Sequence, residues 1–426
     1  MKRVLLIAYY FPPQPKAGAL RAEYLAKNLP HAGWQPTVLT VSYPGQAPDG
    51  FDVVSARDYG PDAATPPSNG GPAGGVRKQA AIETTVKSLI KSVVYFPDNH
   101  VGWLIPAVNA ARRAMRAERF DAVLSTAPPF TAHFIARKVT AGTNVPWIAD
   151  YRDLWSGPPG RDYLHGSGPL RLRIEYAIER WLLRSATYLT ATSEAQAEAL
   201  SENFGRRDVA CIPNAVDAGA WDSIPDSVPR DFTICYTGKL WPGLRMPDAI
   251  FASAARLRTE GDPAGLAVSF DFYGEDADLV MERARAFGVA DIVRAHGEVN
   301  RTRALTAQRE AAALLLLLDT EDTADAVQLG NPGSKVFEYA GARRPILAFG
   351  RRNTVVEDML LQSGLGSLAR DEATFADQLR ELHRRFCDGI FEPPMVGNWT
   401  PMTPRRLGAR FAEVLDAALQ PKPAAR

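Results

Sequence analysis

Residues 4–41 of this chain read VLLIAYYFPPQPKAGALRAEYLAKNLPHAGWQPTVLTV, and this stretch decides the fold class. Its apolar start, residues 4–10, is typical of a parallel strand that is covered on both faces. A proline-rich loop follows, then a helical pattern over residues 19–29 that Gly33 ends, then a second strand over 37–41. This order of strand, helix and strand predicts a βαβ unit and hence a parallel sheet.

The same alternation continues along the chain and divides it into two α/β units. Apolar runs predict further strands of the first unit at residues 122–125, 147–149 and 188–191. Pro213, Pro225 and Pro229 interrupt the pattern. The strands predicted after them are 233–236, 268–273, 292–295, 314–318 and 346–349. We therefore predict an α/β fold of two domains of about 200 residues each, within the usual range of domain sizes.

Composition excludes several classes of protein. The 426 residues carry 49 basic and 48 acidic side chains, whereas nucleic-acid-binding domains are usually strongly basic. The longest apolar run, residues 311–318, is far shorter than the roughly 20 residues of a transmembrane helix. The three cysteines form no disulfide framework, and the six histidines show no metal-ligand spacing. We expect a cytoplasmic protein with no metal site and no nucleic-acid partner.

The segment 329–339, LGNPGSKVFEY, follows an apolar strand and opens a helix. Small residues at a helix start expose backbone N–H groups at the positive end of the helix dipole, which favours bound phosphate. Lys335 would add a cation there, and Glu338, one turn further on, can accept hydrogen bonds from sugar hydroxyls. An ordinary helix start with a solvated glutamate is the alternative.

Two other segments place charged residues at predicted strand ends. Residues 236–245, YTGKLWPGLR, bring Lys239 and Arg245 to one loop, and two fixed cations can stabilise a departing diphosphate. Residues 147–156, WIADYRDLWS, leave the carboxyl end of the first sheet, where open α/β sheets bind ligands. The alternatives are solvated cations in the first loop and an Arg–Asp pair that clamps the second.

Together with residues 9–13 (YYFPP), Gly18 and Arg21, these segments resemble glycosyltransferase family 4 over nearly the whole chain. The resemblance implies the GT-B fold, in which two Rossmann-like α/β domains face each other across a cleft. It implies an N-terminal acceptor domain over residues 1–215, with residues 400–420 packing back on it, and a C-terminal donor domain over 216–399. The implied reaction is hexosyl transfer, with retention, from a nucleotide-diphosphate sugar to a saccharide or lipid-linked acceptor in cell-surface glycan biosynthesis.

Residue by residue, the resemblance assigns most of the donor site to the second domain. Lys239 and Arg245 would hold the diphosphate without a metal, and Glu338 would bind the ribose hydroxyls. The other donor contacts fall to Gly18, Gly238, Gly297, Val299, Asn331, Gly333, Ser334 and Lys335. The acceptor and reacting centre fall to Asp150, Arg152 and Asp153. The nucleotide sugar is a substrate, so no cofactor is expected.

One departure from the family pattern keeps other functions open. Gly330 stands where the family carries the first glutamate of a widespread Glu-x7-Glu pair, so recognition of the donor sugar must differ there. The first alternative is a sugar-nucleotide epimerase that shares the fold and the donor site. The second is a non-catalytic subunit that binds a sugar nucleotide within a polysaccharide assembly.

Two stretches predict peripheral contact with an anionic membrane at the inner face of the cell membrane. From Ile82 onward, apolar residues recur at helical spacing and are accompanied by Lys87 and Lys91. Residues 170–183 form a second amphipathic stretch that is rich in arginine, and Trp155 is assigned to the acceptor or the membrane. The alternative is that each apolar stripe packs on the protein's own sheet.

Overall fold

The computed structural model describes residues 1–14, 17–43, 49–60, 96–157, 169–216, 218–319, 335–351, 354–393 and 402–420. It divides into two compact units. Unit 1 comprises Met1–Asn214 and Pro404–Arg426, and unit 2 comprises Ala215–Thr403. No helix in the described ranges is long and apolar enough to cross a membrane.

Unit 1 is built on a seven-stranded parallel sheet with the order β3-β2-β1-β4-β5-β6-β7. The strands are β1 (Lys2–Ala8), β2 (Trp34–Val41), β3 (Asp52–Ala56), β4 (Ala122–Ala127), β5 (Trp147–Tyr151), β6 (Tyr188–Ala191) and β7 (Val209–Cys211). The chain runs outward from β1 to β3 and then returns to β4 on the other side of β1. The gap between the carboxyl ends of β1 and β4 is therefore the switch point, where doubly wound sheets bind ligands.

Helices flank this sheet, and the last helix of the chain belongs to it. They are α1 (Ala17–Asn28), α2 (Leu104–Ala117), α3 (Thr131–Thr140), α4 (Pro169–Leu183), α5 (Glu194–Phe204) and, in chain order, α14 (Pro404–Ala418). Helix α14 packs on α1, where Gly408 lies so near Asn28 that a Cβ would come within 2.8 Å of its backbone. Asp416 of α14 also accepts a hydrogen bond from Trp34 Nε1 at 2.8 Å.

Unit 2 repeats the design with a six-stranded parallel sheet in the order β10-β9-β8-β11-β12-β13. The strands are β8 (Thr233–Thr237), β9 (Ser269–Tyr273), β10 (Val293–Ala295), β11 (Ala313–Leu317), β12 (Ile346–Phe349) and β13 (Gly366–Ala369). The helices are α6 (Ala218–Asp222), α7 (Asp248–Thr259), α8 (Pro263–Ala267), α9 (Ala277–Ala286), α10 (Arg301–Glu310), α11 (Lys335–Gly341), α12 (Thr354–Ser363) and α13 (Glu372–Cys387). Its switch point lies between β8 and β11.

Alternation along the central strands supplies two cores, one on each face of the second sheet. Leu315 and Leu317 of β11 enter the core that contains Ile234 and Tyr236 of β8. Leu314 and Leu316 enter the opposite core, with Cys235. Successive side chains of a strand point to opposite faces, so a strand buried on both faces is an unbroken apolar run.

The predicted α/β architecture of two parallel-sheet domains is confirmed, and three strands were missed. Strands β3, β7 and β13 each lie at the edge of a sheet. Most of their residues are exposed or only partly buried, so they lack the continuous apolar run that identified the central strands. The prediction also ended the first strand at Tyr10, two residues beyond its observed end at Ala8.

Candidate active site

Gly238 shapes the backbone at the carboxyl end of β8. Its φ is +126°, a conformation that side chains other than glycine rarely adopt. A Cβ at this position would lie 2.5 Å from Lys335 Nζ, so the lysine occupies the space that a side chain would need. The Gly238 N–H donates to Tyr273 O at 2.7 Å and thereby ties the end of β8 to β9. Glycine is required here for Lys335 to reach the strand end.

Lys335 begins α11 and points back to β8. Its Nζ donates to Tyr236 Oη at 2.6 Å and lies 3.9 Å from the centre of the Tyr236 ring. The Tyr236 hydroxyl in turn donates to Lys239 O at 2.7 Å. Burial, followed by the charge of Arg245, lowers the pKa of Lys335 to about 7. A buried amine beside a second cation is a site where an anion is strongly favoured.

Lys239 and Arg245 complete a set of three basic side chains around the end of β8. Lys239 Nζ lies 2.5 Å from Glu275 Oε1, and this hydrogen bond raises the pKa of Lys239. Arg245 Nε lies 2.6 Å from Asp319 Oδ1, two residues beyond the end of β11. The Arg245–Asp319 pair thus joins the two strands that flank the switch point. Each of these two predicted phosphate-binding cations therefore pairs with a carboxylate.

Glu338 lies one turn into α11 and is held by a residue that the sequence did not single out. Gln308 of α10 donates from Nε2 to Glu338 Oε1 at 2.7 Å and to Thr237 Oγ1 at 2.9 Å. Gln308 Oε1 is buried and has no hydrogen-bond partner within the described ranges. Tyr339 Oη accepts from the Thr237 N–H at 3.0 Å. Gln308 therefore orients the carboxylate predicted to bind ribose, and no local sequence signal connects the two.

Gly297 and Val299 lie after β10, on the other side of β9. The Gly297 carbonyl accepts from the Gly274 N–H at 2.9 Å, and the Val299 side chain packs against the core. His296 stacks on Tyr273 with ring centres 4.3 Å apart and an interplanar angle of 6°. The predicted contacts at Asn331, Gly333 and Ser334, and at Lys87 and Lys91 in unit 1, lie outside the described residues.

Asp150 of unit 1 is fully buried at the end of β5 and fully hydrogen-bonded. Its two carboxylate oxygens each accept from the Arg21 guanidinium at 2.9 Å. They also accept from Thr126 Oγ1 and Thr190 Oγ1, both at 2.7 Å. Burial alone would raise the pKa of Asp150, but the charge and hydrogen bonds of Arg21 hold it below its usual range. The carboxylate predicted to act at the reacting centre is thus one half of an ion pair inside unit 1.

Arg152 fastens three backbone segments together. Its guanidinium donates to Gly18 O at 2.8 Å, to Ala127 O at 3.3 Å and to Pro128 O. A Cβ at Gly18 would overlap Arg152 Nη1, so packing within unit 1 explains why this position is glycine. Burial lowers the pKa of Arg152, and the charges of Asp153 and Asp150 offset part of that effect. Arg152 thus positions the switch point of the first sheet.

Trp155 lies in the core of unit 1, which corrects its assignment to the acceptor or the membrane. The side chain is 1% exposed. It stacks on Phe130 with ring centres 5.2 Å apart and also contacts Phe96 and Phe134. Because the ring is enclosed on these sides by aromatic neighbours, it offers no surface to a membrane. The sequence around Trp155, Asp-Leu-Trp, does not indicate whether the indole ring is buried or exposed.

Two doubly wound parallel sheets, each with basic residues at or beside its switch point, are the arrangement expected of the GT-B class of glycosyltransferases. The family model "Glycosyltransferase Family 4" matches residues 19–219. Glycogen synthase from Mycobacterium tuberculosis is 25% identical over 395 residues, which cover 89% of this chain and 86% of that protein. These two matches support the resemblance to glycosyltransferase family 4 that the sequence motifs predicted.

Solved structures share the fold at low sequence identity. Sucrose-phosphate synthase from Thermosynechococcus elongatus superposes with a TM-score of 0.59 at 13% identity, over 98% of this chain and 95% of that one. WaaG, a glycosyltransferase involved in lipopolysaccharide biosynthesis, gives 0.54 at 13% identity, over 98% of each chain. Anabaena HepE in complex with UDP gives 0.53 at 12% identity, over 98% and 97%. These likenesses confirm the GT-B fold.

Proposed function

We propose that this glycosyltransferase takes its sugar from a nucleotide-diphosphate donor whose diphosphate binds at the end of β8. The observation that carries the proposal is the set of Lys239, Arg245 and Lys335 around the Gly238 backbone at the switch point of the second sheet. A diphosphate would replace Glu275 and Asp319 as the partner of two of these cations. Its charge would also favour the protonated form of Lys335. The related HepE structure contains UDP, which supports this donor class.

The chemistry follows from where charge develops. When the bond between the anomeric carbon and the diphosphate breaks, negative charge grows on the leaving group. Preorganised cations stabilise that charge, and the loss of one such donor typically costs about 10²–10³ in rate. With two or three cations present, we propose that no metal is required and that the sugar is transferred with retention. Glu338, oriented by Gln308, would bind the ribose hydroxyls.

We propose a saccharide or lipid-linked acceptor in the synthesis of a cell-surface glycan. The related glycogen synthase and WaaG support this class, since their names describe polysaccharide and lipopolysaccharide synthesis. Screening nucleotide sugars by thermal shift identifies the donor, because a ligand at 100 times its Kd stabilises the native state by about 2.7 kcal/mol. Nucleotide release is then measured with and without acceptors. We expect release that depends on a saccharide or lipid-linked acceptor.

Two outcomes would replace this function. Isomerisation of the donor sugar without acceptor would identify an epimerase, and donor binding without turnover across the acceptor panel would identify an assembly subunit.

Lys239→Ala should lower kcat by about 10²–10³-fold. Arg258→Ala is the matched control, because Arg258 forms an ion pair with Asp291 at 2.7 Å in the same unit but away from β8. Equal activity of the two variants would remove Lys239 from the site.

We also propose peripheral contact with an anionic membrane through one face of α4. Leu170, Ile174 and Trp181 are 72%, 49% and 47% exposed on this face. The helix turns two acidic side chains, Glu175 and Glu179, inward. Exposed arginines accompany the apolar residues: Arg173, Arg180 and Arg184.

Each of these arginines contributes roughly 1 kcal/mol on an anionic surface. Sedimentation with vesicles containing phosphatidylserine should pellet the wild type at low salt and should leave Arg173→Glu/Arg180→Glu in the supernatant. Arg258→Glu serves as the control for charge reversal elsewhere. A wild type that remains in the supernatant, or a double variant that pellets equally, would contradict membrane contact through α4.

A further inference from the structure

A buried hydrogen-bond network in unit 2 joins the carboxyl end of β8 to α10 and α11. Gln308 of α10 is fully buried, and its Nε2 donates to Thr237 Oγ1 at 2.9 Å and to Glu338 Oε1 at 2.7 Å. Tyr339 Oη accepts from the Thr237 N–H at 3.0 Å and from the Thr237 hydroxyl at 3.4 Å. One amide group therefore connects the end of a central strand to the carboxylate of Glu338.

Charge fixes the orientation of the Gln308 amide. Nε2 uses one N–H for each of its two acceptors, and the reverse orientation would turn Oε1 toward the Glu338 carboxylate, where two acceptors would repel each other. In the observed orientation, Oε1 is buried and has no hydrogen-bond partner in the described part of the chain. A buried polar atom without a partner destabilises the folded state. Stability alone does not explain this arrangement, whereas the need to hold Glu338 in place does.

The Glu338 carboxylate lies between this network and the surface of unit 2, because its side chain is only partly buried. A carboxylate offers about four lone-pair sites to hydrogen-bond donors. Gln308 uses one of these sites at Oε1 and restricts the rotation of the side chain, so the other sites keep a fixed direction. A carboxylate held in this way can accept from two neighbouring hydroxyls of a single ligand.

Lys335 places this carboxylate beside the proposed diphosphate site. Lys335 and Glu338 are three residues apart on α11, and this spacing brings two side chains to the same face of a helix. The charge of Glu338 also offsets part of the lowering of the Lys335 pKa by burial and by Arg245. In a nucleoside diphosphate, the ribose is bonded directly to the phosphate chain. A ligand with its phosphates at Lys335 would therefore carry its ribose hydroxyls toward Glu338.

We propose that Gln308 makes the donor site selective for ribonucleotides over 2′-deoxyribonucleotides. The inference rests on the proposed function and narrows the donor class to sugars that are linked to a ribonucleoside diphosphate. Gln308 is a positioning residue, which holds Glu338 so that the carboxylate accepts from both hydroxyls of the ribose. A 2′-deoxyribose leaves one of these acceptor sites without a donor, and hydrogen bonds to a charged group are among the strongest in proteins.

Calorimetric titration of the full-length protein with nucleoside diphosphates tests this selectivity. The probes are UDP, GDP and ADP, each compared with its 2′-deoxy counterpart. For the base that binds, the wild type should prefer the ribose form by about 10–100-fold, the range expected for one hydrogen bond to a charged group. Gln308→Met keeps the length of the side chain but removes both donors. This variant should reduce the preference to below about threefold by weakening the binding of the ribose form alone.

Gln378→Met is the matched control for loss of a buried amide. Gln378 lies on α13 in the same unit, and its Oε1 is likewise buried without a hydrogen-bond partner among the described residues. Helix α13 packs on the opposite face of the second sheet from α10 and α11, so this variant should keep the wild-type preference. If Gln308→Met does not fold, Gln308→Asn takes its place, because its amide is one methylene group too short to reach both acceptors.

Three results would overturn the inference. The first is a wild type that binds the ribose and deoxyribose forms of a nucleoside diphosphate equally well. The second is a Gln308 variant that keeps the wild-type preference. The third is a Gln308 variant that loses affinity for both forms to the same extent, as a purely structural role would predict. A wild type that binds no nucleoside diphosphate contradicts the proposed function instead, and the two failures are therefore distinguishable.

Discussion

Replacing Asp150 by asparagine tests whether this carboxylate is an interior ion pair or a reacting group. The substitution keeps the shape of the side chain but removes its charge and turns one acceptor oxygen into a donor. That new donor faces the N–H groups of Arg21, which bonds both carboxylate oxygens at 2.9 Å. Arg21 is only 4% exposed, so its charge would remain buried without its partner.

The structure sets the size of the effect. Removing one partner of a buried ion pair costs about 3–5 kcal/mol. Arg21 keeps other contacts, including Ile212 O at 2.9 Å and the Phe411 ring of α14 at 5.0 Å, and these place the cost toward the lower end. A domain of this size shifts by about 2–4 °C per kcal/mol, so the unfolding transition of unit 1 should fall by about 10 °C.

Scanning calorimetry at pH 7 measures this shift. Glu23→Gln is the matched control in unit 1, because Glu23 pairs with the exposed Lys27 one turn along α1, and such surface pairs contribute only about 0–1 kcal/mol. The pKa of Asp150 is lowered in the folded state, so its contribution is complete above the unfolded pKa of about 4. It is lost as pH falls through the folded pKa, and the gap between wild type and variant should then close.

One result would refute this reasoning. If Asp150→Asn unfolds at the same temperature as the wild type but loses transfer activity, Asp150 acts on the substrate. The sequence-based assignment of Asp150 to the reacting centre is then correct. If the variant is destabilised and the folded fraction retains its activity per molecule, Asp150 positions the first sheet without taking part in the chemistry.

Three further predictions concern the donor site. Gly238→Ala should weaken donor binding more than Gly288→Ala in calorimetric titrations, because both glycines have positive φ but only Gly238 leaves space that Lys335 fills; equal losses would show that backbone strain alone acts. Burial and the charge of Arg245 lower the pKa of Lys335 to about 7, and a bound diphosphate would raise it again, so donor affinity should fall as pH rises from about 6 to 8. A nucleotide sugar does not titrate in this range. Lys335→Met should therefore abolish both the pH dependence of donor affinity and the proton uptake linked to binding. If the pH dependence survives in Lys335→Met, another group causes it. Turnover should survive a strong chelator, and a loss that Mg²⁺ or Mn²⁺ restores would contradict metal-independent transfer.

The sequence predicts the strands that are buried on both faces but misses three of the four edge strands; the fourth, Val293–Ala295, lies within the predicted run 292–295. The run at residues 346–349 coincides with β12, because a central parallel strand must be apolar on both faces. The edge strand Asp52–Ala56 is exposed at Asp52 and Ser55 and buried only at Ala56, so its pattern resembles a loop. An edge strand that lacks an apolar run therefore cannot be recognised from the sequence alone.

The site residues differ in a similar way. Some can be recognised from their local sequence, whereas others depend on contacts between distant parts of the chain. Lys239, Arg245 and Lys335 are identified from segments that begin at strand ends, because topology alone places them near one switch point. The partners that define their state lie far away in sequence: Asp319 is 74 residues from Arg245, and Gln308 is 30 residues from Glu338. Spacing between charges along the chain also does not report burial, so the sequence did not indicate that Asp150 is paired with Arg21 in the interior.

Calorimetric titration with the nucleotide sugar that the thermal-shift screen selects tests whether the basic residues at the end of β8 hold a donor diphosphate. We expect Arg245→Ala to raise the Kd by at least about tenfold, equivalent to 1.4 kcal/mol, and Arg258→Ala to leave it unchanged. An Arg245→Ala variant that is folded and binds the donor as tightly as the wild type would contradict the claim.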